Sequence, residues 1–371
     1  MTRTTPPFRA DHVGSLLRPK RLLQAREDRA AGRGTAEELR AVEDDAIRAV
    51  VEMQQDVGLR SATDGEFRRT SWHMDFIYQL GGVNRGDEQL KVQFQNQDGT
   101  IEFMTAALLI DDRVRLRHTI FGEDFQTLKA LAAASTPKLT IPSPSMVHYR
   151  GGPAAIKRDV YPDIEEFWDD LSAAYAEQVR RLGELGCTYL QFDDTSLAYL
   201  NDPRQRAEIT RRGDDAEHLH ERYIRQINRA LADKPEGMTV TTHLCRGNFR
   251  SSWAAVGGYD FVAEALFGGL DVDGFFLEYD DARSGGFEPL RYVPAGKMVV
   301  LGLVTTKRGE LERKDELKRR VDAASRFVPL EQLCLSPQCG FSSTVEGNVL
   351  TYEQQVAKLR LLVETAQEIW G

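Results

Sequence analysis

The stretch TTHLCRGN, residues 241–248, ends an apolar run with His243 and Cys245 two positions apart. In a strand, residues i and i+2 project to the same face, so imidazole and thiol can address one point. Two more donors close later apolar runs: Glu278 ends GFFLE, and Cys339 follows LSPQ. Two thiolates, an imidazole and a carboxylate make a tetrahedral set suited to Zn2+. His243, Cys245, Glu278 and Cys339 are therefore the expected metal ligands. The ordinary alternative is that an isolated H-x-C is incidental and a buried cysteine is a small apolar side chain. A sulfur-rich zinc is poorly suited to making hydroxide and well suited to a substrate thiol. It lowers the thiol pKa from roughly 8.5, giving thiolate at neutral pH. The expected chemistry is attack of a zinc-bound thiolate on an electrophilic carbon, with Glu278 or a water giving up its coordination place.

Other polar groups fall at the ends of apolar runs. Glu66 and Asp193 could hold a substrate ammonium, and Gly14 and Ser15 in HVGS a carboxylate, through backbone N–H and hydroxyl. The competing roles for the two acids are ion pairing with arginines such as Arg68, or a metal-free acid–base pair. Cys187 and Cys334 precede or begin their strands and read as core. His218 and His220, in HLHE, lie two apart in a helical stretch and do not share a face, so a solvated helix is expected there. His73, His118 and His148 have no partner visible in the sequence. No H-E-x-x-H, G-x-S-x-G or P-loop pattern occurs.

These groups need elements to bring them together. Eight β-like runs follow one another: FRADHVGS, RSATDGE, KLTIPSP, TYLQFDD, MTVTTHLC, GFFLEYD, KMVVLGLV and QLCLSPQC. Most are separated by helix-sized stretches. Thr35 and Glu38 form a capping-box signature before Leu39, Val42, Ala46, Val50, Met53 and Val57 at helical spacing, with Gly58 as the stop. Asp163 and Glu166 open a similar run that ends at Gly186. Further helices are expected over about 204–232, 309–326 and 350–369. The pattern predicts an α/β fold, a (β/α)8 barrel in one domain spanning 1–371, whose C-terminal strand ends meet at one mouth. Residues 83–120 alternate with period two, with turn-like QDGT and IDDR. They predict an antiparallel hairpin insertion between strands 2 and 3. An open doubly wound sheet is disfavoured, because no glycine-rich phosphate fingerprint follows an early strand.

Composition narrows the function. The chain has 371 residues, is 41% hydrophobic and carries a formal charge of −9, with scattered basic residues. That excludes a nucleic-acid groove and a polybasic membrane surface. No run is long enough to span a bilayer, and the N-terminus lacks an apolar signal core, so a cytoplasmic protein is expected. Disulfides are not expected there. The reading leaves room for a homo-oligomer.

Taken together, RADHVGSLLRP, DGEFRR, YLQFDD, THLCRGNFRSSW, DGFFLEYDD and LSPQCGF resemble the catalytic barrel of cobalamin-independent methionine synthase, most closely its stand-alone single-barrel relatives. The resemblance runs along nearly the whole chain. It implies a zinc site at His243, Cys245, Glu278 and Cys339. It also implies an amino-thiol site in which Gly14 and Ser15 match the family's I-G-S, Glu66 its G-E and Asp193 the aspartate of its I-D-E-P. The implied reaction is methyl transfer to homocysteine, giving methionine. Four features depart from the family. I-D-E-P reads FDDT. Tyr199 stands where an acid is expected. PSPSMVHY replaces the tryptophan-bearing folate loop, and Thr306 and Lys307 stand where an I-H-S histidine is expected. The alkyl donor is thus left open between methylfolate, methylcobalamin and an epoxide. Epoxyalkane:coenzyme M transferase is similar to the same barrel, so coenzyme M is the alternative thiol, with Arg246, Arg250 or Lys307 meeting its sulfonate. A non-catalytic zinc-containing barrel is the remaining alternative.

Overall fold

The computed structural model describes residues 3–96 and 99–371. Its centre is a six-stranded parallel sheet. The strands are β5 (Leu139–Pro142), β6 (Tyr189–Asp194), β7 (Thr239–Leu244), β8 (Gly274–Glu278), β9 (Met298–Val304) and β10 (Leu333–Pro337), adjacent in chain order. Every residue of β5, β6, β8, β9 and β10 is buried, as expected of parallel strands covered on both faces. Helices supply the cover, and two show why they form. Ala36–Asp56 starts at a complete capping box between Thr35 and Glu38 and buries Ala46, Ile47, Val50, Val51 and Met53. It stops at Gly58, whose φ of +90° favours glycine. Ile164–Glu184 has only half of the expected box: the Asp163 side chain accepts from the Glu165 N–H.

The sheet edges are less regular. β1 (Ser61–Ala62) has two residues and pairs in parallel with β4 (Thr136–Pro137), just before β5. The first β-like run forms a single parallel bridge, Ala10 to Leu335 of β10. Its link to the β1 segment is made by the Leu16 N–H to the Gly65 carbonyl at 3.1 Å and by side chains. Asp11 is the main clasp. Its carboxylate accepts from the N–H groups of Phe8 and His12, from Ser61 Oγ at 2.8 Å and from Tyr189 OH at 2.8 Å. Lys138, fully buried, faces it at 3.5 Å.

Between β1 and β4, β2 (Gly81–Asn96) and β3 (Gly99–Arg115) pair antiparallel. Residues 97 and 98 of the expected QDGT turn lie outside the described residues. The expected IDDR turn is not one: 110–113 continue β3, and the bend is absorbed by a register shift between Gly81 and Val83. Gly82, at φ +83°, lets the Asp112 carbonyl approach to 2.4 Å of where a Cβ would stand. The helix expected over 204–232 is two, Pro203–Arg211 and Leu219–Leu231, broken at Gly213 with φ +92°. His218 is exposed and pairs with Asp215, but His220 is buried against the Phe261 ring, so the solvated-helix expectation fails for it. Among the described residues β8 and β9 are joined by 3-10 turns, at Ala282–Ser284 and Glu288–Tyr292, without a full helix.

Candidate metal and substrate site

The C-terminal ends of the central strands converge on a cavity of about 270 Å3. His243 is near the end of β7, in register with Asp193 of β6. Cys245 follows the strand, its N–H bonded to the Asp194 carbonyl at 3.0 Å. Cys339 lies two residues past β10, which shifts register between Ser336 and Pro337. The ligand atoms of His243, Cys245 and Cys339 lie within 4.8 Å of one another, all buried.

The chemistry of this triad suits a metal. Neither buried ring nitrogen of His243 makes a well-formed hydrogen bond; its one polar neighbour of note is the Cys339 sulfur. An unsatisfied buried polar atom costs about 1–3 kcal/mol, which a bound cation would relieve. The two sulfurs are 3.2 Å apart and unbonded. A disulfide would put them at ~2.05 Å, and two ~2.3 Å bonds to one tetrahedral zinc would put them at about 3.8 Å. The pair behaves as one acid. Hydrogen bonding from Cys245 outweighs burial and holds Cys339 well below the ordinary thiol range, while Cys245 is pushed well above it. Imidazole and thiolate are the donors that select zinc among common divalent ions.

Glu278 is not part of this close triad. It ends β8, fully buried, with its carboxylate engaged at both oxygens. Oε2 accepts from the Arg246 backbone N–H at 2.9 Å, and Oε1 pairs with Lys307 at 3.1 Å and Arg283 at 3.4 Å. Burial pushes its pKa up, but the charges of Lys307, Arg246 and Arg283 prevail and bring it to about 2.

The other four expected site residues meet at the same cavity. Ser15, Glu66 and Asp193 line it. Gly14 lies against Glu66, with φ +146° and a would-be Cβ 2.8 Å from Thr140 Cγ2. Glu66 has a left-handed backbone, φ +60°, rare for a residue with a side chain. Its Oε1 accepts from Thr140 Oγ1 at 2.8 Å, while Oε2 is buried without a partner. Arg68 is not its partner. Arg68 turns away to Glu43, Asp44 and Asp124, and Arg69 stands 3.7 Å from Glu66 instead. Burial raises the Glu66 pKa against the pull of Arg69. Burial likewise lifts Asp193 to about 7, opposed by His243 and reinforced by Glu66.

Several lining residues escaped the sequence reading. Phe94 of β2 reaches the cavity because Gln95 and Trp253 exchange backbone hydrogen bonds of 2.7 and 2.9 Å. Trp72 stacks on His73 with ring centroids 4.3 Å apart. Arg85 and Arg150 are the cations in the lining. Neither a period-two pattern nor a lone arginine signals such long-range placement. His148 has a partner that the sequence did not reveal, Tyr223 OH at 3.0 Å. Cys187 and Cys334 are core residues, 2% and 0% exposed. The cations considered for a sulfonate do not line the cavity. Arg246 is buried against Tyr259 and the Gly257 and Glu278 carbonyls, Lys307 pairs with Glu278 and Asp280, and Arg250 is exposed.

A parallel α/β sheet thus carries thiol and imidazole donors at its C-terminal edge, a donor set that could hold a metal ion. Residues 8–368 match the family described as cobalamin-independent synthase, catalytic domain, and the chain belongs to that family. Bacillus subtilis YxjG, described as uncharacterized, is 48% identical over 100% of this chain and 97% of its own. A methionine synthase of Pyrococcus abyssi is 24% identical over 88% of this chain and 84% of its own. Among solved structures, a putative vitamin-B12 independent methionine synthase from Listeria monocytogenes is 40% identical. It aligns with a TM-score of 0.80 over 100% of both chains. A Shewanella B12-independent methionine synthase, 19% identical, shares the fold at a TM-score of 0.73, covering 100% of this chain and 98% of that one. Among the described residues no helix is long and apolar enough to cross a membrane.

Proposed function

We propose that this protein is a zinc-dependent thiol alkyltransferase that methylates homocysteine to methionine. The observation that carries the reading is one cavity holding both a buried His–Cys–Cys triad and two buried acids, of which Glu66 has an oxygen without a partner. His243, Cys245 and Cys339 would hold the metal, with Glu278 beside them as fourth ligand. Zinc there lowers the pKa of an adjacent substrate thiol, so that the sulfur is thiolate at neutral pH.

The protein's own groups do the rest. Glu66 and Asp193 meet the substrate ammonium, which adds to the positive charge of Arg69 beside Glu66. Ser15 and the Gly14 turn meet the carboxylate. The outer cavity, walled by Trp72, Tyr78, Phe94 and Phe249, receives the methyl donor and keeps water from the reacting carbon. An amino-acid thiol is favoured over coenzyme M because two buried acids, Glu66 and Asp193, line the cavity; the three expected sulfonate cations do not, although Arg85 and Arg150 do. We also read the Ala10 bridge and the β1–β4 pair as completing an eight-stranded barrel in a single cytoplasmic domain, residues 1–371, with 81–115 as its insertion. The test is zinc content together with zinc-edge X-ray absorption. About one zinc per chain is expected, with an added sulfur neighbour once homocysteine is supplied. A protein that takes up no zinc, or whose zinc ignores homocysteine, refutes the function.

A further inference from the structure

One buried cation beside the triad has no part in the reading above. Lys307 follows β9, its side chain 9% exposed. Its Nζ lies 3.1 Å from Glu278 Oε1 and 3.2 Å from Asp280 Oδ2, and Thr305 Oγ1 donates to that same Asp280 oxygen at 2.9 Å. Arg283 also approaches Glu278 and Asp280, at 3.4 Å each. It is anchored elsewhere, on Asp281 at 2.9 Å and over the Trp253 ring at 4.4 Å. The closest cation on Glu278 is therefore Lys307, a compact ammonium on an unbranched stem.

A carboxylate has two oxygens and about four lone-pair directions. Both Glu278 oxygens already accept, Oε1 from Lys307 and Arg283 and Oε2 from the Arg246 N–H, so a metal drawing on Glu278 takes the direction left on Oε2 and shares the carboxylate's charge with Lys307. Conversely, an ionised carboxylate released into a buried site without a partner is strongly disfavoured. Lys307, the nearest cation at 3.1 Å with Arg283 behind it at 3.4 Å, removes most of that penalty. We propose that Lys307 is a positioning residue that takes up the Glu278 carboxylate when the substrate thiol occupies its coordination place. The exchange balances: the thiol S–H bond breaks, its proton leaves to solvent, sulfur takes the vacated place, and Glu278 stays ionised against the ammonium. This inference rests on the zinc–thiol reading and adds to it the group that makes the fourth ligand exchangeable.

The experiment compares wild type, Lys307→Met and Lys307→Arg as purified zinc proteins. Zinc affinity is measured by competition with a chromophoric chelator, homocysteine affinity by calorimetry, and zinc neighbours by X-ray absorption. Lys307→Met should bind zinc as tightly as wild type or tighter. It should bind homocysteine at least about tenfold more weakly and keep an oxygen neighbour after homocysteine is added. Lys307→Arg should restore homocysteine binding. A residue that merely supports the fold would lose zinc and homocysteine together. Parallel losses in Lys307→Met, or homocysteine binding equal to wild type, overturn the proposal. A wild type that binds no zinc or no homocysteine instead overturns the reading beneath it, and the inference with it.

Discussion

Replacing Glu66 by glutamine separates binding from stability at one carboxylate. Glu66 Oε2 is buried without a partner and faces the cavity occupied by the amino-thiol in the proposed function. A hydrogen bond to a charged group is worth about 1.5–3 kcal/mol, so Glu66→Gln should weaken homocysteine binding roughly 10- to 150-fold. The loss stays in that range because Asp193 remains to meet the ammonium. A thiol lacking the amine, 4-mercaptobutyrate, should bind both proteins alike. Stability should move the other way. The folded pKa of Glu66 is raised by burial. Between its unfolded and folded values the native state holds more protons, so wild-type stability falls as pH rises through that window and stays lowered above it. Glutamine lacks this dependence. The stability of the variant relative to wild type should therefore rise as pH increases from the ordinary carboxylate range through the raised folded pKa. Calorimetric titration with the two thiols and thermal melts across that range read both effects. Equal losses for both thiols, or a stability difference flat with pH, would refute the assignment of Glu66 as a buried carboxylate whose free oxygen receives the ammonium.

Three other substitutions test separate parts of the structure. Cys339→Ser should lose zinc and methyl transfer together while the far-ultraviolet circular dichroism spectrum is kept; a zinc-free variant that is fully active contradicts the triad. Gly14→Ala places a Cβ 2.8 Å from Thr140 Cγ2 at φ +146°, and denaturant melts should show a loss of about 1–3 kcal/mol. Asp11→Ala strips the buried Lys138 ammonium of its carboxylate, and removing one partner of a buried pair should cost about 3–5 kcal/mol in the same melts; an unchanged midpoint would show that the clasp carries no load.

The central strands were legible in the sequence because burial on both faces leaves short, bounded apolar runs, and all six strands of the central sheet fall inside the runs read from residues 138–339. The edges were less legible. The 10–16 and 61–66 segments carry strand-like residues, but their contacts run through Asp11, Thr63 and Leu16, and no local pattern encodes such side-chain clasps. The triad was visible because H-x-C shares a strand face and Cys339 closes another run. Glu278 was visible as a strand end, but its engagement by Lys307 and Arg246 was not, since that depends on neighbours in adjoining loops. His220 shows the limit of spacing rules: i and i+2 exclude a shared ligand face without saying which of the two residues is buried.

The pairing of Ala10 with Leu335 also orders events in time. Gly14 and Ser15 lie four and five residues after Ala10, and Arg18 holds Ser342 and Thr344 through contacts that span up to 326 residues of chain. Gly340 lies so close that a Cβ there would sit 1.9 Å from Ser15 Oγ. The part of the cavity expected to grip the substrate carboxylate is encoded first and completed last. During synthesis the opening segment waits for nearly the whole chain to emerge before it has a surface to close on. A shortened chain lacking β10 would carry most of the sheet and one donor sulfur, and no finished pocket.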